Sequence, residues 1–235
     1  MDVALGGQGA PIVPIGEKLL LGDYVYFLNI GGITNISCNL PDGYIAFDVC
    51  PASRVLNMLA RKKGMEFDEN GNMAALGKVN TGLLRMLNEL EYYGLPYPKS
   101  LSNDFGTDVV YPLISQYSAD VNNDMRTYIE HICQQVHNSI MVLQQQTSPI
   151  PGPQKMLVTG GGAKNTFLTE RLRETLAVAN VQVEIPSADL IDYKEAIIMA
   201  LIGVLRWREE SNTIASVTGA SRNSIGGAVW IGQEA

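Results

Sequence analysis

Glycine clusters constrain this chain more than any other feature. They stand at Gly6-Gly7-Gln8-Gly9, at Gly31-Gly32 and at Gly160-Gly161-Gly162. Glycine is costly in backbone entropy inside a helix or strand, so each cluster marks a turn or a close approach of backbone to something else. Two of them end strand-like runs, Tyr24–Ile30 and Lys155–Thr159. The other follows a carboxylate, in Asp2-Val-Ala-Leu-Gly-Gly-Gln-Gly-Ala-Pro11. Together they point to a phosphate and nucleotide site.

The rest of the pattern frames these turns. Ile33–Asn39 and Gly43–Asp48 read as two more strands joined by a Pro41-Asp42-Gly43 turn, so the chain starts with a three-stranded antiparallel meander. Ser53–Lys63 predicts a helix, and residues 65–72 a polar loop. Asn80–Tyr93 predicts a helix with Leu83, Leu84, Leu87 and Leu90 at helical spacing and Gly94 as its C-cap. Residues 96–107 read as irregular. Met125, Ile129, Ile132, Val136, Ile140 and Leu143 mark a long helix over Ala119–Gln146, closed by a Pro-rich linker at 148–153. Beyond the triple glycine the pattern predicts a helix over Asn165–Ala179, a strand over Val181–Ile185 and a helix from Asp192 to about Glu209. Asp192 and Glu195 form an aspartate version of the capping box. A short strand is expected near Ala228–Ile231. The order is β-β-β-α, a helical insertion at about 65–150, then β-α-β-α. It predicts an α/β fold in one domain: a mixed sheet of about five strands with helices on its faces. This is the ribonuclease-H-like unit that actin-like ATPases and sugar kinases use twice, visible here once.

Composition removes several function classes. The net charge is −7 and no basic cluster exceeds Arg61-Lys62-Lys63, which argues against nucleic-acid and anionic-membrane partners. The longest apolar run, Ala196–Leu205, is too short to span a bilayer and reads as buried helix. No signal peptide is expected ahead of Asp2. Three cysteines without a CxxC spacing read as buried reduced thiols, and His131 and His137 lack the i, i+4 spacing of a ligand pair, so no metal site is expected. Neither GxGxxG nor a GxxxxGK[ST] loop occurs.

Each cluster has two readings. Asp2 is either a general base beside a substrate hydroxyl or water, or an ordinary exposed carboxylate at a frayed end. Gly31-Gly32, flanked by Asn29 and Asn35, is either a hairpin turn or a backbone loop for ATP phosphates. Gly160–Gly162 is either a tight strand-to-helix turn or a helix N-terminus that receives an anion.

Six segments in order resemble the anhydro-N-acetylmuramic acid kinase family over nearly the whole chain. They are Asp2–Pro14, Leu28–Ile36, Pro98-Lys-Ser100, Val158–Asn165, Asp192-Tyr-Lys-Glu-Ala196 and Val217-Thr-Gly-Ala220. The resemblance implies a cytoplasmic, ATP-dependent kinase of peptidoglycan recycling. It would open the 1,6-anhydro bond of anhydro-N-acetylmuramic acid with water and phosphorylate O6. Asp2 would activate the water. Gly31, Gly32 and Asn35 would lie near the phosphates, and Gly160, Gly161, Gly162 and Asn165 near the adenosine. Gly6, Gly7, Gln8, Asp48 and Glu195 would face the sugar, with Glu195 equally readable as a helix N3 residue. Magnesium would accompany ATP, and a homodimer is implied. Two departures stand out. Where the family has Asp-Thr-Gly-Pro-Gly-Asn, this chain has Asp48-Val-Cys-Pro-Ala-Ser53, which opens the possibility of an altered substrate. The family's first lobe, with its Gly-Thr-Ser-x-Asp-Gly loop, is expected to be absent, making the chain a C-terminal lobe. The alternative expectation is a non-catalytic half-kinase module that binds nucleotide weakly or pairs with another chain.

Overall fold

The computed structural model describes residues 1–40, 43–117, 120–146, 151–230 and 232. In chain order the elements are α1 (Pro14–Leu20), β1 (Tyr26–Ile30), β2 (Ile33–Leu40), β3 (Gly43–Pro51), α2 (Ser53–Arg61), α3 (Asn72–Leu76) and α4 (Thr81–Asn88). Next come α5 (Tyr111–Tyr117), α6 (Val121–Gln146), β4 (Gln154–Thr159), α7 (Thr166–Ala177), β5 (Val181–Glu184), α8 (Ala188–Trp207) and α9 (Ala215–Thr218). The sheet runs β3-β2-β1-β4-β5. β1 pairs antiparallel with β2 and parallel with β4, and β4 pairs parallel with β5. This is the expected ribonuclease-H-like order.

β1 lies at the centre, and its alternation sends side chains to both faces. Leu28 and Ile30 point to a large core shared with Met156, Val158 and α2, α6 and α7. Phe27 points to a smaller core with Tyr44, Leu157, Ile15 of α1 and Leu205 of α8. Met125, Ile129, Ile132, Val136, Ile140 and Leu143 of α6 are all fully buried. Six such side chains contribute on the order of 10 kcal/mol, comparable to the net stability of a domain. The helical segment is therefore part of the main core.

Several expectations are corrected. β3 runs on to Pro51, past Asp48, because Val49 and Cys50 are buried and pair on toward Ile33 across a bulge at Thr34/Asn35. The helix expected over 80–93 stops at Asn88, and Gly94 does not cap it. Tertiary bonds win there: the Tyr92 hydroxyl donates to the Asp48 carbonyl at 2.6 Å, and the Tyr93 hydroxyl lies 3.0 Å from His131 Nε2. The polar loop contains the start of α3, whose Met73 and Ala74 amides donate to the Asp68 carboxylate at 2.8 and 3.0 Å. The irregular stretch turns helical at Phe105, as a π-helix that leads into α5. α8 starts at Ala188 with Ser187 as its cap, so Asp192 and Glu195 are interior residues and no capping box forms. Ala228–Trp230 is not a strand. Pro41-Asp42, residues 148–150 and Ile231 lie outside the described residues.

α1 was not foreseen. Pro14 begins it, where the missing amide hydrogen costs nothing. Gly16 lets it approach α8 closely: a Cβ there would stand 2.3 Å from Ile198 Cγ1.

Candidate active site

The two glycine turns share one end of the sheet because β1 and β4 are parallel neighbours, with Asn29 opposite Thr159. Gly160 adopts φ +81 and ψ 170, a region essentially reserved for glycine, and a Cβ would stand 2.7 Å from both Asn29 Oδ1 and Ile30 O. Gly162 is buried against Ile30, and Asn165 caps α7 by accepting the Leu168 amide at 3.0 Å. These three have structural work to do. Gly161 is exposed, with open space where a side chain would stand. At the hairpin, the Gly31 and Gly32 carbonyls accept the Ser53 and Ala52 amides at 3.0 and 2.8 Å, so the turn is tied to the start of α2. Asp48, Asn35, Asn29 and Thr159 line up across β3, β2, β1 and β4 on one face of the sheet. The Thr159 hydroxyl is buried and has no hydrogen-bond partner among the described residues.

Asp2 is 5% exposed. Its Oδ2 accepts the Gly9 amide at 2.9 Å and its Oδ1 accepts the Thr218 hydroxyl at 2.8 Å. The Gln8 amide donates to the Thr218 carbonyl at 2.9 Å. The opening loop is thus ordered and stitched to the end of α9, which excludes the frayed-end reading. Gly7 packs against the Asp2 carboxylate, while Gly6 is exposed at the loop's edge.

Between this loop and the sheet lies a cleft of about 600 Å³, lined by Gln8, Asn29, Asn35, Asp48, Glu195 and Thr218 among others. Its floor is a buried network: Glu17 Oε1 accepts Lys194 Nζ at 3.0 Å, while Oε2 accepts the Ser37 and Tyr44 hydroxyls at 2.7 and 2.5 Å. One wall is Asp48 with Lys99 and Ser100. Asp48 Oδ2 accepts the Leu101 amide at 2.8 Å. Burial raises the Asp48 pKa, against the lowering effect of that amide. Burial lowers the Lys99 pKa, and its ammonium donates to the Tyr92 and Tyr93 carbonyls at 3.2 and 3.4 Å.

Four expected residues, Gln8, Asn35, Asp48 and Glu195, therefore meet in one cleft, and Asp2 stands behind Thr218 on its wall. Gly31, Gly32 and Gly160–Gly162 cluster at the end of the sheet, and they, Asn165, Gly6 and Gly7 all lie outside the cleft lining. In the segment Asp48-Val-Cys-Pro-Ala-Ser53, Val49, Cys50 and Ala52 are buried, and of these six residues Asp48 lines the cleft. Sequence reasoning missed Glu17, Ser37, Lys194 and Thr218. A signal existed for two of them. Lys194 stands on the buried stripe of α8 with Ile198 and Leu205, and Glu17 follows the apolar start of α1, buried with Pro14, Ile15 and Gly16.

A family model described as anhydro-N-acetylmuramic acid kinase matches residues 1–232. Proteins of that name from Vibrio cholerae and a Sulfurovum species are each 33% identical, over 97% and 98% of this chain. The chain spans 62% of the length of each. Among solved structures, a xylulose-type kinase from Brucella ovis is 15% identical, with a TM-score of 0.44 over 84% of this chain and 42% of that one. An overall likeness that low carries no functional weight, and the strand order already fixes the fold. The match from the Asp2 loop to the end of α9 and beyond is of a different quality, and by it the chain belongs to the anhydro-N-acetylmuramic acid kinase family.

Proposed function

We propose that this chain carries the catalytic wall of an ATP-dependent sugar kinase. The enzyme opens 1,6-anhydro-N-acetylmuramic acid with water and phosphorylates O6, giving N-acetylmuramic acid 6-phosphate for peptidoglycan recycling. What supports the reading is that polar groups from β2, β3, α8 and the α9 end converge on one sugar-sized cleft, beside a buried carboxylate held by two donors. In this reading Asp2 takes a proton from the water that attacks C1. The C1–O6 bond breaks, and O6 accepts the phosphoryl group. Thr218 and Gly9 aim the carboxylate, and each Asp2 oxygen keeps a lone pair for the incoming proton.

The residues at the sheet end fit a nucleotide. Gly161 leaves room for close approach, and the orphaned Thr159 hydroxyl beside Asn29 offers an unused polar group. Gly31, Gly32 and Asn35 would face the phosphates. Among the described residues no group of three or more His, Cys, Asp or Glu could hold a metal. A magnesium ion accompanying ATP would neutralise the charge of the phosphates. The same proposal places the enzyme in the cytoplasm, as a homodimer. Among the described residues no helix is long and apolar enough to cross a membrane.

The test is phosphate transfer from ATP to the anhydro sugar by this chain, alone and joined to the first lobe of the Vibrio cholerae relative. Product from either supports the reading, and D2N should then lower turnover by roughly 10²–10⁴-fold. No product from both combinations refutes it.

A further inference from the structure

The floor of the cleft holds a cation that nothing above has used. Lys194 is 6% exposed, yet its ammonium makes one hydrogen bond, to Glu17 Oε1 at 3.0 Å. A lysine ammonium carries three donors. Among the described residues nothing accepts from the other two. Buried donors without partners are costly, and Lys194 lines the cleft, so what fills the cleft must meet them. Lys99, the other cation of the lining, is already committed. It donates to two carbonyls and lies 4.7 Å from the centre of the Tyr92 ring.

Glu17 is built to hold Lys194 in place. It is 2% exposed, and its second oxygen is fixed by the Ser37 and Tyr44 hydroxyls from β2 and β3. The close α1–α8 packing at Gly16 brings the two charged groups together. The pair is neutral overall, and the rest of the lining adds the carboxylates of Asp48 and Glu195 against the single ammonium of Lys99, which leaves a net negative charge. Such a floor suits a neutral acceptor, because a further anion would meet acidic neighbours.

We infer that Lys194 is a substrate-binding residue whose two unused donors take neutral oxygens of the sugar, a hydroxyl or the acetamido carbonyl, with Glu17 as its positioning residue. This rests on the sugar-kinase reading of the cleft. The carboxylate of the anhydro sugar is then bound elsewhere.

The experiment is calorimetric titration of the full chain with 1,6-anhydro-N-acetylmuramic acid, with 1,6-anhydro-N-acetylglucosamine, which lacks the carboxylate, and with ATP. K194M alone leaves a buried unpaired carboxylate, so the decisive variant is E17Q/K194M. It removes both charges and keeps an acceptor for Ser37 and Tyr44. The expected result is a melting temperature near wild type, affinity for both sugars lowered on the order of 10-fold or more, and unchanged ATP binding. Wild-type sugar affinity in the double variant overturns the inference. So does an equal loss for ATP and sugar, which marks a collapsed cleft. A loss confined to the carboxylate-bearing sugar overturns the neutral-acceptor assignment. If neither the wild-type chain nor the chain joined to the first lobe of the relative binds either sugar, the substrate reading itself falls, and this inference with it.

Discussion

The triple glycine can be split into a structural and an open member by two substitutions. Gly160→Ala forces an L-residue to φ +81 and ψ 170, at about 1–3 kcal/mol. The new methyl also meets the Ile30 carbonyl oxygen at 2.7 Å, a backbone atom that cannot rotate away, at about another 1–3 kcal/mol. The total, about 2–6 kcal/mol, corresponds to a drop of roughly 4–24 °C in melting temperature for a chain of this size. Gly161→Ala meets nothing within 4 Å and lies in ordinary helical backbone. It should stabilise the chain by about 0.4–1 kcal/mol through the unfolded state. Equilibrium urea unfolding followed by circular dichroism measures both. If the two variants unfold at the same midpoint, the assignment of Gly160 as the residue that needs glycine is wrong. With stability separated in this way, any loss of ATP affinity in Gly161→Ala reports on the ligand.

Further expectations are simpler. Asn165→Ala removes the α7 cap and should cost about 1 kcal/mol in urea unfolding. Gly16→Ala pushes α1 off Ile198 and should lower the melting temperature while leaving far-ultraviolet dichroism unchanged. Burial lowers the His131 pKa to about 3, so the native imidazole stays neutral while the unfolded one protonates near 6.5. Stability from this residue is present above about pH 6.5 and is lost as pH falls toward 3, at up to about 1.4 kcal/mol per pH unit. His131→Gln should flatten that slope. Burial pushes the Cys38 and Cys50 thiols up to about 12, and raises Cys133 as well. The native chain should leave a thiol reagent unreacted at pH 8, and unfolding should release three thiols.

The sheet was legible because its signals are local. Alternation over Ile33–Leu40 and the glycines after Ile30 and Thr159 fix strands and their ends without reference to anything distant. The α6 stripe is equally plain. Where the reading failed, the deciding partner is far away in sequence. Asn88 ends α4 because Tyr92 must reach Asp48 and Tyr93 must reach His131. The true cap of α8 is Ser187, and the Asp-to-Glu spacing downstream imitates a cap inside the helix. The same holds for the candidate site. Asn35, Asp48 and Glu195 announce themselves in motifs, whereas Glu17 and Lys194 show locally only as charges on buried helix faces, and their pairing comes from a contact between α1 and α8 that no local spacing encodes.

The parallel pairing of β1 with β4 joins Tyr26 to Met156. The partners are roughly 130 positions apart, a separation that slows folding because loop closure precedes any reward. During synthesis the meander of β1, β2 and β3 emerges before β4. Until β4 arrives, β1 presents an open hydrophobic edge to whatever else is in solution. The strand that ends at the Gly31-Gly32 hairpin is therefore also the nascent chain's main liability for misassembly, and the long stretch between β3 and β4 sets how long that exposure lasts.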